Sequence, residues 1–143
     1  MMYILDTDHM SLIQKRIGAD AERLRFRLAG VQRLTTIITY EEQMRGWLSW
    51  IAQARTLIQQ IERYAMLKRM AESYAEVSLI DFEHIAAHEF ERLQKRRIRI
   101  GTMDLKIAAI ALSQNATLLS RNLKDFTKVP DLKVEDWSAK SDK

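Results

Sequence analysis

Cysteine is absent from this 143-residue sequence, proline occurs once and glycine four times. The lack of cysteine excludes disulfide bonds, thiol catalysis and thiolate metal sites, so any metal would have to be held by oxygen or imidazole. Little proline and glycine, with 47% hydrophobic and 29% charged residues, argues against fibrous and disordered proteins. We expect one compact, helix-rich domain that covers residues 1–137, followed by a flexible tail at residues 138–143.

Long hydrophobic runs are also missing. No run approaches the roughly 20 residues of a membrane-spanning helix, and the N-terminus lacks the features of a secretory signal peptide. We therefore expect a cytoplasmic protein with no membrane partner. The net charge of +4 and a pI of about 9.5 favour a polyanionic partner such as nucleic acid, although many basic proteins bind none.

Short strand-like runs alternate along the chain with longer stretches of helical periodicity. The predicted strands cover residues 3–5, 34–38, 77–80, 117–120 and 133–134. The predicted helices cover residues 11–16, 20–29, 41–52, 54–73, 82–96 and 103–114. This alternation predicts an α/β fold in which a mostly parallel sheet of four to five strands lies between two layers of helices.

Capping residues agree with this division. Thr39 stands three residues before Glu42, as in a capping box, and Thr102 and Asp81 stand where helix N-caps are expected. Asn115 follows the last long helix, where a residue tolerant of positive φ is expected.

Acidic residues gather near the ends of the predicted strands. Asp6 and Asp8 follow the first strand, Glu42 follows the second, and Asp125 follows the fourth. Asp104 lies in the first turn of the helix that leads into the fourth strand, so it joins the other acids only if a loop brings that helix N-terminus to the same end of the sheet. Ligands of open α/β sheets bind at the carboxyl ends of the strands, so we expect these acids to meet there.

Each acid also has a purely structural explanation. Glu42 fits a capping box, Asp104 complements a helix dipole, and the others fit turns or caps. Two acids as close as Asp6 and Asp8 raise each other's pKa unless a cation lies between them. Taken together, the acids match the hard oxygen ligands that Mg²⁺ and Mn²⁺ prefer, and such a site supports phosphodiester hydrolysis.

Four segments carry a family resemblance: LDTD (5–8), TYEEQMRG (39–46), IGTMDLKIAAIA (100–111) and LLSRNLKDF (118–126). They resemble the motif blocks of PIN-domain ribonucleases, and more narrowly those of VapC toxins of type II toxin–antitoxin (VapBC) pairs. Residues 129–137, VPDLKVEDW, resemble the closing segment of those toxins. The resemblance runs nearly from end to end, with the blocks in the family's order.

The resemblance implies a PIN-like three-layer α/β/α fold and a toxin that is an endoribonuclease dependent on Mg²⁺ or Mn²⁺. Such an enzyme hydrolyses RNA to 5′-phosphate and 3′-hydroxyl products and is inhibited by a VapB-type antitoxin. A homodimer is implied by the family alone. The target RNA, a tRNA or rRNA or another, is not identified by the sequence.

The roles carried over from the family are as follows. Asp6, Glu42 and Asp104 match the metal-binding acids, and Asp125 is a further catalytic candidate. The fourth acidic position of PIN domains falls on Asn122, so Asn122, Asp125 or neither completes the site.

Other residues lie around these acids. Asp8 replaces the family's usual Asn and is expected, with Thr7 and Asn122, to contact the ligands rather than the metal. His9 is one histidine beside two aspartates, which is more often a surface or supporting partner than a catalytic group.

Basic residues precede the Asp104 block. They form either a solvated helix end or an RNA-binding patch, and the sequence favours neither reading. The resemblance adds two residues near the scissile phosphate. The predicted RNA-binding residues are Lys95, Arg96, Arg97, Arg99, Ser120 and Arg121.

Met44, Trp47 and Trp50 crowd one predicted helix. Core packing explains most of them, but two tryptophans so close exceed what one helix face usually buries. A groove of this composition suits an amphipathic partner helix, which the resemblance identifies as the antitoxin.

One alternative from another functional class stays open. The chain would then be a non-catalytic, basic RNA-binding module whose acids cap helices and whose metal site is degenerate at Asn122.

Overall fold

The computed structural model describes residues 1–15 and 17–140. Within these residues the chain forms five β-strands and seven α-helices, with one short 3₁₀ helix. In chain order the elements are β1 (Tyr3–Leu5), α1 (Thr7–Gln14), α2 (Ala19–Leu28), β2 (Leu34–Thr36), α3 (Ile37–Ala52), α4 (Leu57–Ser73), the 3₁₀ helix (Tyr74–Glu76), β3 (Ser78–Ile80), α5 (His84–Lys95), α6 (Thr102–Ser113), β4 (Thr117–Leu119), α7 (Leu123–Phe126) and β5 (Lys133–Glu135).

The five strands form one sheet in the order β3-β2-β1-β4-β5, and every neighbouring pair is parallel. From the central β1 the chain moves outward through β2 and β3, then crosses to the other side of β1 for β4 and β5. The strand order therefore reverses between β1 and β4, where open α/β sheets bind their ligands. The predicted parallel α/β sheet is confirmed.

Successive residues of the central strands point to opposite faces of the sheet, as strand geometry requires. Ile4 and Leu118 pack with the hydrophobic residues of α5 and α6. Leu5 and Leu119 pack on the other face with those of α1 and α2. Both faces are thus covered by helices, which gives the three-layer α/β/α arrangement that the sequence predicted.

The hairpin of α3 and α4 has an arm, α4, without buried residues, and polar contacts hold its base. None of the 17 residues of α4, all of them described, is buried, and Leu57 and Ile58 are 75% and 70% exposed. Gln43 of α3 ties the base of the hairpin through polar contacts. Its Nε2 donates to the Ser11 hydroxyl (3.1 Å), and its Oε1 accepts from the Tyr74 hydroxyl (2.5 Å).

Two helices begin four residues earlier than predicted. Asp6 is extended and leads straight from β1 into α1, which starts at Thr7 rather than at residue 11. Residue 16 of that predicted helix lies outside the described residues. The helix α3 starts at Ile37 because the Thr36 hydroxyl accepts a bond from the Thr39 backbone N–H (3.1 Å). Thr39 is therefore inside the helix, and the prediction that it caps the helix is wrong.

Two further capping predictions are also wrong. Thr102 is the first residue of α6, with Gly101 at the N-cap position. Asp81 precedes the N-cap of α5, which is Glu83. Asn115 confirms its prediction, since its φ of 52° lies in the left-handed region just after α6. The other element ends differ from the predicted ones by up to three residues.

The C-terminal segment packs on the domain as far as Ser138, which is buried. Its carbonyl accepts a bond from Arg23 Nε (2.7 Å), so this first residue of the predicted tail is held. Residues 141–143 lie outside the described part, and the flexibility of the tail stays a prediction.

Among the described residues, no helix combines the length and hydrophobicity needed to cross a membrane.

Candidate active site

Asp6 lies where β1 ends, at the point where the strand order reverses. Its backbone N–H donates to the carbonyl of Leu119 in β4 (2.9 Å), so Asp6 continues the sheet for one more residue. The residue is only 4% exposed. The fold therefore buries this carboxylate between the carboxyl ends of β1 and β4.

The two carboxylate oxygens of Asp6 differ in their surroundings. Oδ2 accepts a hydrogen bond from the Ser120 hydroxyl (2.9 Å), whereas Oδ1 is buried and has no hydrogen-bond partner among the described residues. The pKa of Asp6 is raised to about 7, mainly by burial. The charge of Asp8 also raises it, and that of Asp104 does so more weakly. An unpartnered buried oxygen on a carboxylate calls for an explanation such as a bound cation.

Asp8 is fixed beside Asp6 by several donors. Its carboxylate oxygens lie 3.1 and 3.2 Å from the backbone nitrogen of Arg121, and His9 Nδ1 lies 2.7 Å from Oδ1. The Ser120 hydroxyl is 3.2 Å from its Oδ2. Asp8 is thus placed to act on Asp6 through Ser120 and through its charge, as its predicted supporting role requires.

Glu42 reaches the site from the second turn of α3. The Thr7 hydroxyl, at the start of α1, donates to Glu42 Oε1 (2.8 Å) and lies 3.1 Å from the Thr39 hydroxyl. The alternative in which Glu42 closes a capping box with Thr39 is therefore wrong. Glu42 is oriented by a residue next to Asp6 instead, which gives Thr7 the supporting position predicted for it.

Asp104 lies in the first turn of α6 and is half-buried. Burial raises its pKa, and the charges of Glu42, Asp125 and Asp8 raise it further. The charges that act on Asp104 are those of other predicted site acids, and their convergence on one cation stays a prediction.

Asp125 and Asn122 contact each other directly. Asn122 Nδ2 donates to Asp125 Oδ2 (3.1 Å), and Lys128 Nζ lies 3.4 Å from Oδ1. These contacts, led by that of Asn122, lower the pKa of Asp125. Asp125 is therefore the charged group at this corner of the site, and Asn122 orients it.

The described residues contain no group of three His, Asp or Glu side chains that forms a ready-made metal cage. Mg²⁺ typically binds through one or two carboxylates, keeps several waters and takes further ligands from a substrate phosphate. The unpartnered Asp6 oxygen and the repulsion on Asp104 fit such an open, oxygen-rich site. The full ligand set of Asp6, Glu42 and Asp104 stays a prediction.

Ser120 and Arg121 differ from the predicted RNA contacts. Ser120 is fully buried and its hydroxyl faces Asp6 and Asp8, so we correct its expected role from touching RNA to positioning carboxylates. Arg121 is exposed, and its guanidinium pairs with Asp20 in α2 (2.5 Å). Release of this ion pair would be needed before the guanidinium bound a phosphate.

The predicted basic patch is exposed and borders the acids. Lys128 Nζ lies 3.4 Å from both the Arg99 carbonyl and Asp125, which places the loop after α5 beside the acidic cluster. The basic side chains exposed here are those of Lys95, the last residue of α5, and of Arg96, Arg97 and Arg99 in the loop.

The predicted partner groove contains fewer of the predicted residues than expected. A cleft of about 1140 Å³ lies between α1, α3 and α4, and Trp47 lines it together with Met66 and Met70. Trp50 instead packs under the Arg63 guanidinium, 4.8 Å from the ring centroid, and Met44 is half-buried elsewhere on α3. Of the three predicted groove residues, the cleft contains Trp47.

The role of buried hydroxyl groups in organising the site was not predicted from the sequence, although Thr39 and Ser120 were assigned other roles. Thr35, Thr36, Thr39 and Ser120 are all fully buried, although threonine and serine are mostly exposed in proteins. The available signal was their position at the ends of two strands that flank the Asp6 strand. Thr36 bonds locally to Thr39, but the bonds of Thr35, Thr39 and Ser120 to Leu5, Thr7 and Asp6 join residues 30, 32 and 114 positions apart, which no local pattern reveals.

The sequence of the chain is similar to those of known ribonucleases. No protein-family model matches the chain. Ribonuclease VapC1 of Haemophilus influenzae (strain R2866) is 31% identical over 142 residues, which cover 96% of this chain and 99% of that protein. Ribonuclease VapC of Rickettsia bellii is 42% identical over 55 residues, 38% of this chain and 41% of that protein.

Solved structures share the fold. VapBC-1 from nontypeable Haemophilus influenzae matches with a TM-score of 0.76 at 24% identity, over 97% of this chain and 100% of that one. VapBC2 from Rickettsia felis, bound to a DNA fragment from its promoter, matches with a TM-score of 0.72 at 22% identity, over 96% and 99%.

The free energy of unfolding should depend on pH because Asp6 is buried. Its pKa is raised from 3.8 to about 7 on folding, so between these values the metal-free folded state binds more protons than the unfolded state. The free energy of unfolding should therefore fall as pH rises from about 4 to about 8, by roughly 4 kcal/mol at most, with Asp104 contributing in the same direction. Asp6→Asn should remove most of this fall and be more stable than the parent near pH 8.

Urea unfolding in the presence of a chelator measures both effects. Asp81→Asn, which alters an exposed acid, is the matched control and should follow the parent. A parent whose stability does not change over this pH range, or an Asp6→Asn variant less stable than the parent near pH 8, would contradict the expectation.

Proposed function

The chain belongs to the VapC ribonuclease family, and from that membership we propose that it is the toxin of a type II toxin–antitoxin pair. In this proposal it is an endoribonuclease that requires Mg²⁺ or Mn²⁺. The observation that carries the proposal is the Asp6 carboxylate, buried where the strand order reverses, with no partner for Oδ1 in residues 1–15 and 17–140. A divalent cation at that oxygen would offset the lost hydration and the repulsion from Asp8 and Asp104.

Three carboxylates would hold the cation. Asp6 supplies the buried ligand, Asp104 approaches from the first turn of α6, and Glu42 from α3. Thr7 fixes Glu42 through its 2.8 Å hydrogen bond. When bound, the cation would neutralise charge on the phosphate and acidify an attacking water.

Asp125 is the remaining acid, and in this proposal it orients the attacking water. Asp125 stays ionised because Asn122 and Lys128 stabilise its charged form, so it is available to orient the attacking water. The water oxygen would bond to phosphorus and give up a proton to solvent as the bond from phosphorus to the 3′ oxygen breaks, and the leaving 3′ oxygen would take up a proton from solvent. The products carry a 5′-phosphate and a 3′-hydroxyl.

The RNA backbone would lie across the loop after α5. Lys95 at the end of α5 is exposed, as are Arg96, Arg97 and Arg99 in the loop, which leads into α6 and Asp104. Phosphate contacts from such residues weaken as salt rises. The chain would act in the cytoplasm, where its RNA substrate is found.

The proposed inhibitor is a VapB-type antitoxin. The cleft beside Trp47 contains apolar side chains of α1 and α4, Ile13, Met66 and Met70, among polar ones. Elsewhere α4 also exposes Leu57, Ile58 and Ile61. An exposed apolar surface of this kind is what an amphipathic partner segment covers. We also propose a homodimer, on family grounds, which light scattering of the purified chain would test.

Cleavage by the parent and by Asp6→Asn should separate the proposal from its main alternative, a non-catalytic RNA-binding module. The substitution removes the charge at the centre of the site but keeps its shape. With Mg²⁺ present we expect RNA cleavage to fall by at least about 100-fold, with RNA affinity in a filter-binding assay unchanged. Asp81→Asn should cleave like the parent.

Two outcomes would overturn the proposal. An Asp6→Asn variant that cuts as fast as the parent would exclude a metal site at Asp6. A parent that binds RNA but does not cut it with either Mg²⁺ or Mn²⁺ would support the non-catalytic module.

Trp47→Ala should weaken the complex with the antitoxin, because it removes the largest apolar side chain that lines the cleft. The probe is the product of a neighbouring reading frame, co-expressed and then titrated by biolayer interferometry. We expect an affinity at least about tenfold lower than that of the parent.

Ile85→Ala truncates an exposed residue of α5, outside the cleft, and is the matched control. Equal affinities for the two variants would contradict antitoxin binding in this cleft.

A further inference from the structure

His9 is the fully buried ionisable residue that the proposed chemistry does not use. Its Nδ1 lies 2.7 Å from Asp8 Oδ1, and its Nε2 lies 3.2 Å from the backbone nitrogen of Trp137. The imidazole therefore joins the site to the segment that follows β5, 128 residues away in sequence.

The contact with Trp137 defines which nitrogen carries the proton. A backbone N–H can only donate, so His9 Nε2 accepts and the hydrogen is on Nδ1, where it is donated to Asp8. Asp136 Oδ1 is 3.5 Å from Nε2. That oxygen already accepts bonds from the backbone nitrogen (2.9 Å) and hydroxyl (2.6 Å) of Ser138. The neutral imidazole with Nδ1–H satisfies every contact.

Asp8 needs this donor because the Ser120 hydroxyl has only one hydrogen to give. The hydroxyl oxygen lies 2.9 Å from Asp6 Oδ2 and 3.2 Å from Asp8 Oδ2, so the two carboxylates compete for it. Bonds from His9 and from the Arg121 backbone satisfy Asp8 without that hydrogen. The hydroxyl is then free to bind Asp6 and hold its rotamer, which leaves Asp6 Oδ1 open.

We propose that His9 is a positioning residue, which holds Asp8 through Nδ1–H so that Ser120 orients Asp6 for the cation. The inference rests on the proposed function, because it concerns the readiness of the same carboxylate. It implies that the segment at Trp137, through its bond to His9, also helps to orient the Asp6 carboxylate. A purely structural role, in which His9 only anchors that segment, is the competing explanation.

Two substitutions separate these roles by geometry. Asn carries its amide at the same number of bonds from the backbone as imidazole Nδ1, so His9→Asn can still donate to Asp8. Gln reaches the position of Nε2, so His9→Gln can still accept from the Trp137 nitrogen but loses Asp8. Each variant keeps one of the two bonds.

The test measures Mn²⁺ affinity by calorimetry without RNA, and kcat and KM for RNA cleavage with it. We expect His9→Gln to bind Mn²⁺ at least about tenfold more weakly and to lose at least about tenfold in kcat, since groups that orient metal ligands have effects of this size. Its KM should stay near that of the parent, because the exposed basic loop is unaltered. His9→Asn should stay within about threefold of the parent in all three quantities.

The reverse order, with Gln active and Asn impaired, would overturn the proposal in favour of an anchoring role. Equal loss in both variants, or no loss in His9→Gln, would overturn it as well. Nitrogen-15 NMR of the imidazole in the parent protein provides a test that depends on no variant. Its signals should show hydrogen on Nδ1 and a bare Nε2, and the opposite tautomer would exclude donation to Asp8.

A failure of the proposed function is distinguishable from a failure of this inference. A parent that neither binds Mn²⁺ nor cleaves RNA overturns both. A parent that does both, together with a His9→Gln variant indistinguishable from it, overturns the role of His9 alone.

Discussion

Burial of the Asp6 carboxylate between β1 and β4 is the constraint on which the rest of the site depends. A buried charge is tolerated only where other groups replace its hydration. Ser120 provides one such bond to Oδ2, whereas Oδ1 is left without a partner among the described residues. The neighbouring charges of Asp8 and Asp104 oppose ionisation further. Without a cation, this arrangement lowers stability at neutral pH, a cost that proteins carry at functional sites.

The parallel sheet explains why the opposing charges meet. Every strand points the same way, so the residues that follow β1 and β4 emerge side by side at the reversal of strand order. The start of α1 then brings Thr7 to Glu42, and the start of α6 brings Asp104. Buried hydroxyls join these elements, and each hydroxyl bonds a neighbour without adding charge. The acids are therefore concentrated by topology and oriented by uncharged donors.

Much of this architecture is readable from sequence. Alternating strand-like and helical periodicity specified the parallel sheet, and the position of Asp6 directly after the first strand specified the edge at which it lies. The position of Asp104 in the first turn of a helix did not specify that edge, because it depends on the path of the preceding loop. Asn115 was correctly placed because positive φ after a helix restricts residue choice locally.

Long-range contacts account for what the sequence did not reveal. Thr36 and Thr39 both suit an N-cap, and only the packed structure shows that Thr36 caps the helix while Thr39 contacts Thr7. Trp50 was assigned to a groove, but its position depends on Arg63, 13 residues away on another helix. His9 looked incidental because its partner Trp137 is at the other end of the chain.

A divalent cation that binds Asp6 should displace the proton that this carboxylate holds when metal-free. Calorimetric titration of the purified chain with Mn²⁺ near pH 6, in two buffers of different ionisation enthalpy, counts the protons released on binding. Because the metal-free Asp6 holds its proton up to about pH 7, about one proton should be released by the parent, and Asp6→Asn should neither release it nor bind comparably. Tight Mn²⁺ binding without proton release, or equal binding by Asp6→Asn, would contradict the account.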